Sequence, residues 1–386
     1  MKKIILRGIT WGHSRGITPL LAAAQRYQEL HPLVEIIWEK RSLQQFADFS
    51  IEKLSLQYDL LIIDHPWVGC ASRTKCVLPL NEYISGSYLL DQARQSVGGS
   101  HKSYEYDGMQ WALAIDAATP VASFRRDLFE KYQEEIPTTW SGLISLAQKG
   151  KVILPGIAID TLMAFYSFCI ANGSEPFRDP LHQQVIPHAI GTAALKQMRS
   201  LWDLCDRCIF DHNPIAVAER MSATDDFWYC PFSYGYSNYA RDGYARNILS
   251  YSNTIMMPDQ KRLQTTLGGT GLSVSAFSEN PSEALAFAEW VVSPVIQTTL
   301  YTENGGQPGY RSAWTSERNN LLTHDYFKNT LNSLDDAYIR PRYDGYLHFQ
   351  DNAGDPIRDY LKHGGHEQDV LNSIDRIYME SVAHGK

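Results

Sequence analysis

The sequence contains no apolar run long enough to cross a bilayer. The longest, Leu162 to Ala171, is about half the ~20 residues a spanning helix needs, so it predicts a buried helix. Clustered lysine and arginine are also missing. Basic residues are scattered, with short pairs such as Arg125-Arg126 and Lys261-Arg262, and the formal net charge is -8. Phosphate backbones are bound by grouped cations, which argues against nucleic acid as a partner. Cysteine is sparse: Cys70, Cys76, Cys169, Cys205, Cys208 and Cys230 make no dense disulfide framework. Cys205 and Cys208 form a Cys-x-x-Cys without a second pair at zinc spacing. The segment Leu201 to Cys208 reads helical and puts both thiols on one helix face as structural residues; a redox or metal pair is the alternative.

Catalytic signatures are lacking as well. There is no Gly-x-Ser-x-Gly, no His-Glu-x-x-His, no P-loop and no dinucleotide fingerprint. His363 and His366 stand in a Gly-rich bend with no further ligand set, so neither a metal nor a cofactor is expected. At the N-terminus, Lys2 and Lys3 precede only Ile4-Ile5-Leu6 before Arg7, short of the apolar core of an export signal. The expectation is a trimmed mature form or a cytoplasmic protein.

What is present is a chain of 386 residues, 44% hydrophobic and 20% charged, which suits two globular domains. Aromatic residues reach 12%, with 22 Tyr and 9 Trp. A packed core accounts for some of them. Each buried hydroxyl or indole N–H needs a partner, however, and a wet, aromatic-lined cleft uses such rings well.

The first third alternates strands and helices. Lys3 to Ile9 is an apolar strand. Thr18 caps a helix with Pro19 at its first position, and Leu20, Ala24 and Tyr27 give it one apolar stripe. Val34 to Glu39 is a strand. Ser42 and Gln45 form a capping box for the next helix. Asp59 to Ile63 is a continuous apolar run of the kind found in buried parallel strands. Right-handed crossovers place strand ends of one polarity on one sheet edge, where ligands of open α/β sheets bind. Those ends here are Thr10-Trp11-Gly12-His13 and Asp64-His65-Pro66-Trp67.

Further on, Trp111 to Ile115 and Val121 to Phe124 read as strands. Pro120 between them excludes one regular central strand and suits a chain crossing between lobes. Helices are expected at 126–133, at 139–149 behind a Thr138 or Thr139 cap, at 160–172 and at 189–208. Tyr229 to Tyr251 holds six of the 22 tyrosines and reads mostly as loop. Gly268 to Gly271 reads as a turn before the strand Leu272 to Phe277, a place where backbone approaches a ligand or the other lobe. Asn280 caps a helix, Ser293-Pro294 start another, and Gln307 to Arg311 read as an exposed turn. Helical stretches follow near 317–333 and 366–382.

The order of these pieces resembles the family 1 extracellular solute-binding proteins, the maltose-binding-protein-like class that serves ABC importers. Tyr58-Asp59-Leu60-Leu61-Ile62-Ile63-Asp64 and Leu78-Pro79-Leu80 come first. Tyr106-Asp107-Gly108-Met109-Gln110-Trp111-Ala112-Leu113 leads to Phe124-Arg125-Arg126-Asp127-Leu128-Phe129 and Pro137-Thr138-Thr139-Trp140. Gly268 to Ser275 and Pro281 to Trp290 come late. The resemblance implies an α/β, type II periplasmic-binding-protein fold: two lobes, each a mixed sheet flanked by helices, joined by a hinge. The first would be 1–116 with 270–306, the second 117–269 with 307–386. It implies a monomer that binds a small-molecule ligand, partners ABC-transporter membrane subunits and works in the periplasm or outside the cell.

The expected ligand contacts are Trp11, His13, Asp64, His65 and Trp67 from the first lobe, Tyr234, Tyr236 and Asn238 from the second, Arg311 in the late turn, and Asp116 and Gly269. Trp228 and Tyr229 are reserve candidates. Aromatic faces suit a sugar's C–H surface and carboxylates its hydroxyls, so a sugar or polyol leads, ahead of a carboxylic acid held by Arg311 or a quaternary amine. A cytoplasmic sensor of the same fold, or an enzyme using Asp64, His65 and Asp116 for acid–base work, are the competing readings.

Overall fold

The computed structural model describes residues 3–42, 50–178 and 183–384. Strand β1 (Ile4–Trp11) pairs in parallel with β2 (Val34–Arg41) along its whole length, and with β3 (Leu60–Ile63) on its other side. All four β3 side chains are buried, which is why this strand reads as an unbroken apolar run. Strands β4 (Glu105–Tyr106) and β5 (Met109–Gln110) form a small hairpin. Its two turn residues, Asp107 and Gly108, both have positive φ, the backbone that a tight right-twisting hairpin requires.

Strand β6 (Leu113–Ala118) belongs to the first sheet, and β7 (Pro120–Phe124) to a second. Thr119 alone separates them. β7 is the centre of a three-stranded antiparallel sheet, flanked by β8 (Tyr229–Tyr234) and β9 (Ser250–Ser252). β10 (Gly268–Val274) then returns to the first sheet, antiparallel to both β3 and β6, so that sheet has the order β2-β1-β3-β10-β6. The polar break at Pro120 thus marks the passage from sheet to sheet. Proline there removes one ladder donor at the first residue of a strand, where the loss is tolerated.

Helices complete both layers. The helix Ala158–Ala171 is buried nearly all round, as its composition predicts, and packs against the helices His188–Trp202 and Tyr346–His363. Among the described residues, no helix is long and apolar enough to cross a membrane.

Several local expectations are corrected. The first helix runs Ser14–Leu30, so Pro19 lies inside it and Thr18 is not its cap. The cap is His13, whose imidazole Nδ1 accepts the Arg15 backbone N–H at 3.0 Å. Gln45 of the Ser42–Gln45 capping box, and the helix it would cap, lie outside the described residues. The helix expected to reach Cys208 ends at Trp202, so Cys205 and Cys208 share no helix face. All six cysteines are free, and burial raises the Cys205 thiol to about 12. Tyr229–Tyr234 is a buried strand rather than loop, because its aromatic residues fill the second sheet's core. Gly268 to Gly271 lie within β10 rather than before it. Gln307 to Tyr310 are buried rather than exposed, because this stretch threads along the end of β6, Gln307 O accepting from Ala117 N at 2.8 Å.

The turn after β3 also points inward. Asp64 caps a single helical turn, His65–Trp67, by accepting the His65 N–H at 2.8 Å. Trp67 packs into an apolar cluster with Ile9, Leu61, Ile63 and Trp111. Trp67→Ala should therefore cost about 3–5 kcal/mol in chemical denaturation; a loss below ~1 kcal/mol would show that the indole is not core. His65 has no exposed surface, and burial, with Arg340 nearby, lowers its imidazole to about 4. An unfolded histidine takes its proton near pH 6.5. Between those values the unfolded chain binds a proton that the folded chain refuses, so stability falls as pH drops from about 6.5 to about 4. In His65→Gln that decline should be shallower; equal slopes would mean that the imidazole is not held neutral.

A polar cavity at the strand ends

The carboxyl ends of β1, β3 and β6 and the start of β10 meet on one edge, and a cavity of about 620 Å³ opens there. Trp11 enters from β1, Arg15 from the first helical turn beyond it, Asp64 from β3 and Asp116 from β6. Gly269 contributes backbone. Its φ is +98°, and a Cβ there would collide with the Asp116 carbonyl, so the close approach of β10 to β6 needs glycine. The facing wall comes from Tyr234 and Tyr236 at the end of β8, from Ile157 to Asp160 at the start of a helix, and from Arg340 and Gln350 in the C-terminal part.

Two ion pairs organise the polar groups, Arg15–Asp116 buried on both sides and Arg340–Asp64 with its carboxylate partly exposed. Arg15 meets both oxygens of Asp116, with Nε–Oδ2 at 3.0 Å, and donates to the Gly235 carbonyl at 3.0 Å. Its guanidinium lies over the Tyr236 ring, 4.9 Å from the centroid. Arg340 bonds both oxygens of Asp64, at 2.7 and 2.8 Å, and donates to Gln350 Oε1 at 2.7 Å. Burial opposes ionisation of Asp64, but Arg340 and the His65 imidazole overcome it and hold the carboxyl well below its usual range.

Asp160 differs from both. It is 8% exposed, and its Oδ2 is buried without a hydrogen-bond partner. Burial alone raises this carboxyl to about 8. It is therefore largely protonated at neutral pH and able to donate a hydrogen bond into the cavity.

Of the eleven residues expected from the sequence, six line this cavity: Trp11, Asp64, Asp116, Tyr234, Tyr236 and Gly269. The other five stand elsewhere. His13 stacks behind Trp11, its centroid 5.6 Å away, where it caps the helix. His65 and Trp67 are turned into the core. Asn238, 3% exposed, packs beside Gly305. Arg311 is taken up by Asp335 and the Ser96 carbonyl. The reserve pair is structural too: Trp228 donates to the Asp225 carbonyl and Tyr229 to that of Pro137.

Arg15, Asp160, Arg340 and Gln350 were not anticipated. Arg15 stands two residues past the His13 already singled out, and the strand-end rule reaches it. Asp160 is the single carboxyl in an apolar stretch from Ile157 to Ala171, a legible signal. Arg340 sits in irregular chain with no local pattern to mark it. Among the described residues, no group of three or more His, Cys, Asp or Glu side chains could hold a metal ion.

Comparison with known structures gives full-length matches at low identity. Maltose-bound MalE3 of T. maritima superposes with a TM-score of 0.84 at 17% identity, covering 98% of this chain and 99% of that one. An ABC-transporter solute-binding protein from Agrobacterium radiobacter K84 in complex with ribitol gives 0.79 at 16%, covering 98% of each chain. Another from Thermotoga lettingae, bound with α-D-tagatose, gives 0.79 at 15%, covering 98% of this chain and all of its own. These share the two-lobed solute-binding fold. The family model described as bacterial extracellular solute-binding protein matches residues 22–318, well over half the chain, and the protein belongs to that family.

Proposed function

We propose that this protein holds one sugar or polyol in the cavity at the strand ends and presents it to the membrane subunits of an ABC importer outside the cytoplasmic membrane. The observation that carries the ligand class is the lining itself: aromatic faces (Trp11, Tyr234, Tyr236) set beside polar groups at Asp64, Asp116, Asp160 and Arg340. Rings of this kind cover the apolar faces of a polyol, while fixed donors and acceptors read its hydroxyls. Structural relatives in complex with maltose, ribitol and tagatose support the same class. The cavity volume falls inside the range usual for small-ligand sites.

In this reading residues 1–116 with 270–306 form one lobe, and 117–269 with 307–386 the other. The two sheets share no strand and Thr119 connects them, which supports two lobes, with the passage between them at Thr119 and just before Gly268 rather than within β6 and β10. Closure follows because a ligand touching both walls favours the conformation in which they approach. The Arg340–Asp64 pair joins the proposed lobes at the cavity and restricts how far they part. The action is binding without turnover: the two cavity arginines occupy Asp64 and Asp116, so neither carboxylate is free to act as a base.

Calorimetry with maltose, ribitol and tagatose tests this. At least one should bind and be recovered unchanged; conversion to product would favour an enzyme instead. Trp11→Ala should weaken binding tenfold or more, about 1.4 kcal/mol. Arg311→Ala, outside the cavity, should leave affinity within about twofold. The reverse order would move the site away from the strand ends.

A further inference from the structure

The cavity contains two cations, and each already has its carboxylate: Arg15 with Asp116, Arg340 with Asp64. Asp160 lines the same space and has none. The charged groups that line the cavity with it are Arg15, Arg340, Asp64, Asp116 and Asp351, and Tyr234, Tyr236 and Cys230 are among the groups that feel its charge. Each arginine's ion pair goes to its own aspartate, Arg15 to Asp116 and Arg340 to Asp64. A buried carboxyl with an unpartnered oxygen is costly to keep; the first turn of the helix Ala158–Ala171, in which Asp160 sits, offsets only part of that cost.

Asp160 also lines a small recess of about 20 Å³, together with Met163, Ser167, Ser233, Tyr234 and Thr265 among others; Asp160, Met163 and Tyr234 border both spaces. The recess has room for one water-sized group and no ring. An ammonium has that size. It needs up to three acceptors, and this recess offers a carboxyl oxygen with hydroxyl oxygens around it.

We propose that the ligand carries a protonated amine, and that this amine enters the recess and pairs with Asp160. The inference rests on the sugar or polyol reading above and narrows it to amine-bearing members of that class. Asp160 is then a specificity-determining residue, and its missing partner arrives with the ligand. A charge-assisted N–H···O contact in a buried site is stronger than the hydroxyl contact a neutral ligand makes. The carboxyl gives up its proton as the amine arrives, so affinity for an amine rises as pH is raised towards 8. A neutral ligand held by the protonated acid would show the opposite trend.

The test uses matched probes: D-glucosamine against D-glucose, and 1-amino-1-deoxy-D-glucitol against D-glucitol, titrated calorimetrically at pH 6 and pH 8. The amine of at least one pair should bind tenfold or more tighter at pH 8, with the preference smaller at pH 6 and abolished in Asp160→Asn. A neutral probe binding as tightly as its amine, or more tightly at pH 6 than at pH 8, overturns the inference and leaves the sugar reading standing. No binding by any probe, together with none by maltose, ribitol or tagatose, overturns both. A second readout needs no ligand. Asp160 in the folded chain stays protonated up to about pH 8, whereas an unfolded carboxyl ionises near pH 4. The native protein therefore loses stability relative to Asp160→Asn across that window. The variant's melting midpoint should exceed the parent's by several degrees at pH 8 and match it at pH 4. A lower midpoint at pH 8 would mean that Asp160 has a partner within the fold, which overturns the inference.

Discussion

Everything at the cavity depends on how the two sheets are joined at Thr119. Its hydroxyl lies 2.8 Å from Thr265 Oγ1 and donates to the Thr266 carbonyl at 3.0 Å, so the outgoing chain at β6–β7 is tied to the returning chain that leads into β10. Close by, the Gln307 side chain donates to the Ala117 carbonyl at 3.2 Å and accepts the Ser237 N–H at 2.7 Å. Three passages of chain between the sheets are thus tied by short-range polar contacts, alongside buried apolar residues such as Ala117, Val121 and Leu267. Such a junction fixes where the strand ends converge. The cavity is the space that this convergence leaves unfilled.

The charged groups around that space follow from its burial. An unpaired guanidinium there would carry a desolvation cost of several kcal/mol, and each arginine avoids it by meeting both oxygens of one aspartate. Pairs of this type add little net stability. Their effect is positional: Arg15 touches Asp116 on the first sheet and the Gly235 carbonyl beyond the second, and Arg340 links the β3 end to the helix that contains Gln350. Trp11 and Tyr236 are held at fixed orientation by their contact with the Arg15 guanidinium.

The parallel core was legible because burial on both faces forces a continuous apolar run at Leu60–Ile63, and because the strand-end rule names a sheet edge, not a contact. For that reason Trp11, Asp64 and Asp116 were found. What a loop does beyond the strand was not legible. His65 and Trp67 follow Asp64 directly, yet one turn of tight helix swings both into the core. The helix Tyr346–His363 went unrecognised although Tyr346, Phe349, Gln350, Ala353, Ile357 and Tyr360 form a clean buried stripe. Pro356 within it and several polar residues mask the period. The strand at Gly268–Gly271 was hidden for the opposite reason: glycines signal a turn, but here they make room, a Cβ on Gly268 falling 2.5 Å from the Tyr234 ring. Arg340 depends on chain folding back from more than 270 residues away, and no local pattern encodes that.

Nine tryptophans are present, and among the described residues Trp11 is the one that borders the cavity. Its ring lies parallel to the His13 imidazole, 13° between planes, and edge-on to Tyr236. The remaining indoles, including fully buried Trp111, Trp202 and Trp314, sit where an occupant does not reach them. Under selective tryptophan excitation, Trp11 is therefore the indole an occupant touches directly, and the other indoles respond only through movement of the protein around them.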